Sequence, residues 1–211
     1  KLTQPVSSLK GIGPARDRVL QQRGIHTVLD LLFFTPIRYE DRTRIFPIRE
    51  TREGEPVLVK GEVISGGEAR FFRSGKKLCK ILIRDADGTL ELVWFQYRKP
   101  YLTGLLSPGT TLLAFGSVRA ARLRKQMIHP EIRAISEEAG ESSLPPGIVP
   151  VYSAVRGLSS AALRSTMAEA LRRRLPQLID PVPTEIISAI GLPDLNTAIR
   201  GVHLPPEQSP M

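Results

Sequence analysis

The feature that most narrows the fold is a period-two alternation of apolar and polar residues, repeated five times between residues 54 and 136. Val57-Leu58-Val59-Lys60-Gly61-Glu62-Val63 alternates, and so do Leu78 to Arg84, Leu90 to Phe95, Leu112 to Val118 and Met127 to Ile132. Such alternation marks strands with one face on a core and the other in water. Asp87-Gly88, between the second and third stretches, is a hairpin turn signal. Gly61 and Gly116 fall inside strands, where glycine commonly marks the bend that lets a small barrel close. Arg98 to Leu106, ahead of Pro108-Gly109, reads as a short helix between strands three and four.

Five strands with an element between the third and fourth follow the order of an OB-fold. The flanks read as helical. Gly13-Pro14 offers an N-cap with proline at the first helical position, and Gly24 ends the helix after Arg16–Arg23. Thr27-Val28-Leu29-Asp30 is a capping-box pattern, and Pro36 stops the helix it opens. After the barrel, Glu137 to Gly147 is an acidic, Ser/Pro/Gly-rich linker. Ser159 or Ser160 can cap a helix whose Leu163, Met167, Ala170 and Leu171 share a face. Arg172-Arg173-Arg174 near its end suits the helix dipole without any need of DNA. Thr184 to Ile190, closed by Gly191, and Asp194 to Arg200, closed by Gly201, read as two more short helices. The expected fold is α+β: a five-stranded OB-fold β-barrel flanked by N-terminal helices and a C-terminal helical segment. The chain divides into residues 1–50, 51–137 and 138–211.

Charge then restricts the partner. The formal net charge is +9 and the pI about 10.1, above the value of about 9 that marks a nucleic-acid footprint. Between Ala69 and Pro130 there are 12 Lys/Arg against Asp85, Asp87 and Glu91, and the rest of the chain carries 18 of each sign. The whole excess sits on the barrel. A solvated face usually mixes its signs, so the concentration points to nucleic acid. One cysteine, Cys79, excludes an internal disulfide framework. No apolar run approaches the roughly 18 residues of a membrane span, and the first residues form no signal peptide. A cytoplasmic protein is expected.

An OB-fold binds single strands by stacking bases on exposed aromatics while cations track the phosphates. Strand three places Leu90, Leu92 and Trp94 on one face and Glu91, Val93 and Phe95 on the other. Glu91 marks the second face as outer, so Trp94 is expected in the core and Phe95 outside, the alternative being that Phe95 packs under the following helix. Tyr97 and Tyr101 follow, with Arg98 and Lys99 between them. The loop joining strands one and two sets Phe71 and Phe72 among Arg70, Arg73, Lys76 and Lys77. Arg119, Arg122, Arg124 and Lys125, between strands four and five, form a third basic group, with a solvated turn as the alternative. Phe95, Tyr97, Tyr101, Phe71 and Phe72 are thus the stacking candidates and these cations the phosphate candidates.

Catalytic chemistry finds no support. Gly75-Lys76 resembles the end of a phosphate-binding P-loop, but Arg70 and Lys77 stand where that motif needs glycine and Ser/Thr. His26, His129 and His203 are far apart, and no Cys/His pair has metal spacing. Cys79 alternates with Ile81 and Ile83, as a core residue would, and Asp85 with Asp87 suits a hairpin better than a metal. Leu-Lys-Gly-Ile-Gly-Pro-Ala (9–15) resembles a helix-hairpin-helix turn able to hold a phosphate, although a tight turn between packed helices explains it as well.

Taken together these residues resemble the amino-terminal wedge region of the RecG family, bacterial branch-migrating DNA helicases. The resemblance runs through residues 9–15, Gly-Ile-His-Thr-Val-Leu-Asp-Leu-Leu (24–32), Pro-Ile-Arg-Tyr-Glu-Asp-Arg (36–42) and Val-Trp-Phe (93–95). It continues with His-Pro-Glu (129–131), Pro-Val-Tyr (150–152), Gly-Leu-Ser (157–159) and Val-His-Leu-Pro (202–205). It implies a wedge that splits branched DNA, replication forks and Holliday junctions, in repair and recombination. The implied partners are forked and single-stranded DNA and the motor domains of a longer chain, the protein acting as a monomer away from membranes. ATP and magnesium belong to those motor domains, and no cofactor is expected in this chain. By resemblance Phe95 matches the first stacking aromatic of the family and Tyr101 the second. Gln96 in place of a common Asn and a stretch to Pro100 two residues longer leave Tyr97 open as well. A stand-alone single-strand DNA or RNA binder and a protein-interaction module are the competing readings.

Overall fold

The structure, a computed structural model, describes residues 2–70, 77–95, 97, 104–105, 107–121, 124–135 and 147–205. It separates into two compact units, one of Arg42–Pro146 and one that joins Lys1–Asp41 to Gly147–Met211. The first and third stretches of the sequence therefore build one unit, and residues 42–50 go with the barrel. Short helices cannot bury a core alone, so the two flanks pool their apolar faces.

In the terminal unit α1 (Pro14–Gln21) starts at Gly13 with Pro14 in its first turn. Gly24, with φ +76, follows its end. Helix α2 (Val28–Leu32) carries the full capping box: Asp30 N donates to Thr27 Oγ1, and the Asp30 carboxylate accepts from Thr27 N at 2.8 Å. Helix α3 (Ser160–Arg174) is capped by Ser159 and buries Leu163, Met167, Ala170 and Leu171. With Val6, Leu20, Leu31 and Ile199 these form a single core. Glu169 of α3 pairs with Arg172 at 2.7 Å and also with Arg173. Helix α4 (Thr184–Ile190) ends at Gly191, φ +67. Helix α5 (Leu195–His203) is capped by Asp194 and runs past Gly201, which does not close it as the sequence suggested. The carboxylate cap and the burial of Ile199 and His203 hold α5 through the glycine. Strands β1 (Arg38–Asp41) and β8 (Ile148–Val151) pair antiparallel, Arg38 opposite Val151, and tie the two passes of the chain together.

His203 locks this unit. Its ring is buried, with Nε2 2.8 Å from the Leu32 carbonyl oxygen and Nδ1 2.8 Å from the Tyr152 hydroxyl. A carbonyl can only accept, so Nε2 carries the proton and Nδ1 accepts from the hydroxyl. Burial holds the ring's pKa below its ordinary 6.5 and pushes that of Tyr152 up. The unfolded chain therefore takes up the proton first, and this contribution to stability is intact above about pH 6.5 and lost as pH falls below it. The parent is expected to lose up to about 1.4 kcal/mol per pH unit there relative to His203→Gln. Melts of both proteins between pH 8 and 5 read the difference, and parallel curves would refute it.

The barrel is built from β2 (Pro56–Arg70), β3 (Lys77–Arg84), β4 (Thr89–Trp94), β5 (Thr111–Ala121), β6 (Arg124–Ile128) and β7 (Glu131–Ile135). The strand order is β2-β3-β4-β6-β5, closed by β5 on β2, with β4 and β6 parallel. This is the OB-fold order. Strand β2 closes it by pairing with β5 through Pro56–Glu62 and with β3 from Glu62 onward, with a register shift between Val63 and Ser65. Gly61 sits at the change of partner, where a Cβ would lie 3.1 Å from the Arg84 carbonyl oxygen. A side chain there would press on the Arg84 carbonyl and on Ile83, which would have to give way by a few tenths of an ångström. Ile81, Ile83, Leu90, Leu92, Leu112 and Met127 fill the interior, with Cys79 and Trp94. Burial pushes the Cys79 thiol up, which leaves it an inert core residue.

The last strand differs from the sequence reading. Met127 to Ile132 is not one strand but the end of β6 and the start of β7, broken at His129-Pro130. His129 takes φ +50, the one positive φ among the described non-glycine residues. Strand β6 joins β4 to β5, and past the break β7 continues along Thr111–Phe115 of β5. The closed barrel thus has the five strands expected, with β7 continuing the last of them along β5 past the break. The helix expected at 98–106 falls mostly outside the described residues.

Candidate nucleic-acid interface

Strands β3 and β4 present their outer face between two hairpins, the position where OB-folds hold oligonucleotides. The β2–β3 hairpin extends beyond the end of β4, since Cys79 pairs with Trp94 and the ladder continues to Arg70 opposite Lys77. The β5–β6 hairpin lies at the start of β4, since Lys125 pairs with both Leu90 and Ala120. Leu90 and Trp94 are four residues apart, about 13 Å along a strand. The two hairpins therefore stand at opposite ends of this face; by alternation Arg119 and Arg124 share its side with Glu91, whereas Arg70 and Lys77 share the side of Cys79 and Ile81.

At the first end Arg70 and Lys77 are exposed, face each other across the ladder, and make no ion pair with a described residue. Opposed like charges weaken a hairpin, so the pair adds nothing to its stability. At the second end Arg119 and Arg124 are exposed. Arg84, also exposed and opposite Thr89, joins them. It belongs to none of the three basic groups singled out in the sequence because it looked like an ordinary strand end.

Lys125 is a correction. Its Nζ donates to the carbonyl oxygens of Ile48 (2.9 Å), Arg49 (2.8 Å) and Thr51 (2.7 Å) and lies 3.1 Å from Thr51 Oγ1. These carbonyls end the 3-10 turn Ile48–Glu50, where helical backbone leaves acceptors unmet. The cation is consumed as a cap and is not offered to phosphate. Asp85 holds the same turn by accepting from Ile48 N at 2.6 Å, and it shapes the β3–β4 hairpin by accepting from Asp87 N and Gly88 N. Asp85 is thus a structural acid of that hairpin, as the sequence suggests.

Phe95 follows β4 and is 45% exposed, whereas Trp94 beside it is 7% exposed and in the core. The outward and inward assignments from alternation both hold. Val93, expected on the outer face, is buried, and Glu91 there is bridged to Lys80 at 3.0 Å. Tyr97 is a second correction. Its ring is half-buried against the barrel core, and burial together with a hydrogen bond to Glu68 pushes its hydroxyl pKa up. That ring is a packing group rather than a platform. Phe71, Phe72, Arg73, Lys76, Arg98, Lys99, Tyr101 and Arg122 lie outside the described residues.

One neighbour of Phe95 escaped the sequence reading. The exposed His129 ring makes a T-shaped contact with it, centroids 5.7 Å apart and planes at 65°. In the sequence His129 stands only as one of three distant histidines and as part of the His-Pro-Glu motif. The signal was Pro130, since proline inside an apparent strand marks an edge or a break. Among the described residues no group of His, Cys, Asp and Glu could hold a metal ion, and no helix is long and apolar enough to cross a membrane.

The sequence model of the RecG wedge domain matches residues 5–173. This chain belongs to the RecG wedge family. It is 32% identical over 203 residues to the ATP-dependent DNA helicase RecG of Escherichia coli strain K12, covering 96% of this chain and 28% of that one. With the same helicase of Thermotoga maritima it is 29% identical over 208 residues, covering 97% and 26%. A solved structure of RecG bound to a three-way DNA junction superposes with a TM-score of 0.73 over 96% of this chain and 27% of that chain, at 24% identity. That likeness supports the fold. The wedge chain therefore spans about a quarter of the length of the relatives it matches.

Proposed function

We propose that this chain is the strand-splitting wedge of a RecG-type ATP-dependent DNA helicase and that it binds branched DNA. Phe95 carries the reading, as an exposed ring at the end of β4, with basic hairpins at the two ends of that strand. Separating strands calls for a rigid obstacle, a ring to replace lost base stacking, and cations to guide the backbones apart. The barrel supplies the first, Phe95 the second, and Arg70, Lys77, Arg119 and Arg124 part of the third. Phe71, Phe72 and Tyr101 extend the stacking group, and Arg73, Lys76, Arg98, Lys99 and Arg122 the phosphate group. Stacking and phosphate contacts read shape, so no sequence preference is expected. Motor domains of a longer chain would hold ATP and magnesium and pull the duplex onto the wedge. The whole would act as a monomer at forks and Holliday junctions in the bacterial cytoplasm. A relative's structure bound to a three-way junction supports this reading.

If about four to seven phosphates are contacted, log K falls against log salt with a slope of roughly −4 to −6. Fork binding measured from low to physiological salt gives the slope, and a value near zero would rule out phosphate contact.

A further inference from the structure

We propose that helix α4 is a docking surface for the motor part of the longer helicase chain, which covers it with an apolar groove rimmed by basic residues. The proposal rests on the helicase reading above and adds to it a surface through which wedge and motor are held together. None of the seven residues of α4 (Thr184–Ile190) is buried. Ile186 and Ile190, one turn apart on one side of the helix, are 51% and 59% exposed. Ile179, Val182 and Leu192, on the segments either side of it, are exposed too. A helix this short is marginal in water without a packed face, and a contiguous apolar face left open marks an interaction site.

Three observations select what covers it. Charge excludes DNA, because residues 175–199 contain Asp180, Glu185 and Asp194 but no Lys or Arg, in a chain of net charge +9. An anionic stretch repels phosphates. Asp180 serves the fold by accepting from Val182 N and Leu195 N, and Asp194 caps α5. Glu185 is exposed and makes no ion pair with a described residue, which leaves it for a basic rim. Size then disfavours a second copy or any separate protein. A stable interface buries about 800 Å² per partner, and two turns of helix, about 10 Å long, offer far less. A tethered partner needs less area, because its effective concentration is on the order of millimolar. Finally, the wedge-domain match stops at residue 173, short of these residues, whereas the alignment with the Escherichia coli helicase covers 96% of this chain and runs through them. This chain corresponds to 28% of that helicase, so the relative has further chain to supply the covering surface.

Hydrogen exchange of residues 184–192, in this chain alone and in the full-length helicase, tests the proposal. In this chain these amides are expected to exchange nearly as fast as in an unstructured peptide, and in the full-length protein roughly tenfold slower or more. Ile186→Asp combined with Ile190→Asp is expected to return the full-length protein to the fast rate. The same pair should leave the melting temperature and fork affinity of this chain unchanged, because neither side chain belongs to its core. Equal exchange in the two proteins would overturn the proposal. So would protection in this chain alone that rises with its concentration, which would make the occupant a second copy. Slowed exchange in this chain on adding fork DNA would make it nucleic acid and overturn the proposal as well. A full-length protein whose ATP hydrolysis does not respond to forks would instead overturn the helicase reading, and this inference with it.

Discussion

Phe95→Ala is expected to weaken binding to forked DNA by roughly 5- to 150-fold while leaving the fold intact. A ring that stacks on a base is worth about 1–3 kcal/mol, and about 1.4 kcal/mol is a decade in affinity. The ring is 45% exposed, so its removal opens no cavity. Trp94→Ala, one residue earlier, is expected to do the reverse. That side chain sits in the barrel core with Ile81, Leu92 and Cys79, and deleting a core aromatic costs about 3–5 kcal/mol. Titration of both variants on a fork, with a thermal melt of each, separates the roles. Phe95→Ala binding forks like the parent, or melting like Trp94→Ala, would refute the assignment.

The second large effect is expected at Arg42, which the resemblance includes in its third motif and which is 1% exposed. Its Nη1 lies 2.8 Å from Glu131 Oε2, and its guanidinium lies 3.7 Å from the centroid of the Phe115 ring. Truncating this buried side chain removes its packing, its ion pair and its contact with the Phe115 ring together, at about 2–5 kcal/mol. Arg42→Ala should therefore lower the melting temperature of the barrel by about 10 °C or more. Arg42→Met, which keeps an unbranched apolar stem in the same place, should recover part of the loss. An Arg42→Ala variant that melts like the parent would show that the side chain contributes nothing.

Periodicity made the barrel legible, because a strand with one face in a core must alternate. Gly61 and Asp87-Gly88 were legible for a similar reason, since each answers a local steric or turn requirement. What escaped depends on distant partners. Strands β1 and β8 are four residues each, mostly exposed in β1, and pair across more than a hundred residues of intervening chain. Lys125 reads as a free cation until the fold brings to it three carbonyls from 74 to 77 residues earlier in the chain. The break at His129 is hidden because Ile128 and Ile132 keep the alternation going on either side of it. The short motifs of the resemblance prove in part to be fasteners: residues 36–42 meet 129–131 through Arg42 and Glu131, and 24–32 meets 150–152 and 202–205 through His203.

The central claim is that the wedge recognises a branch and not merely a polyanion. Titration of this chain on a fork and on a linear duplex of equal phosphate count, at one fixed salt concentration, tests it directly. The expected result is a Kd on the fork lower by about tenfold, the worth of one stacked base, with the difference abolished in Phe95→Ala. Equal affinity for fork and duplex, unchanged by that substitution, would contradict the account.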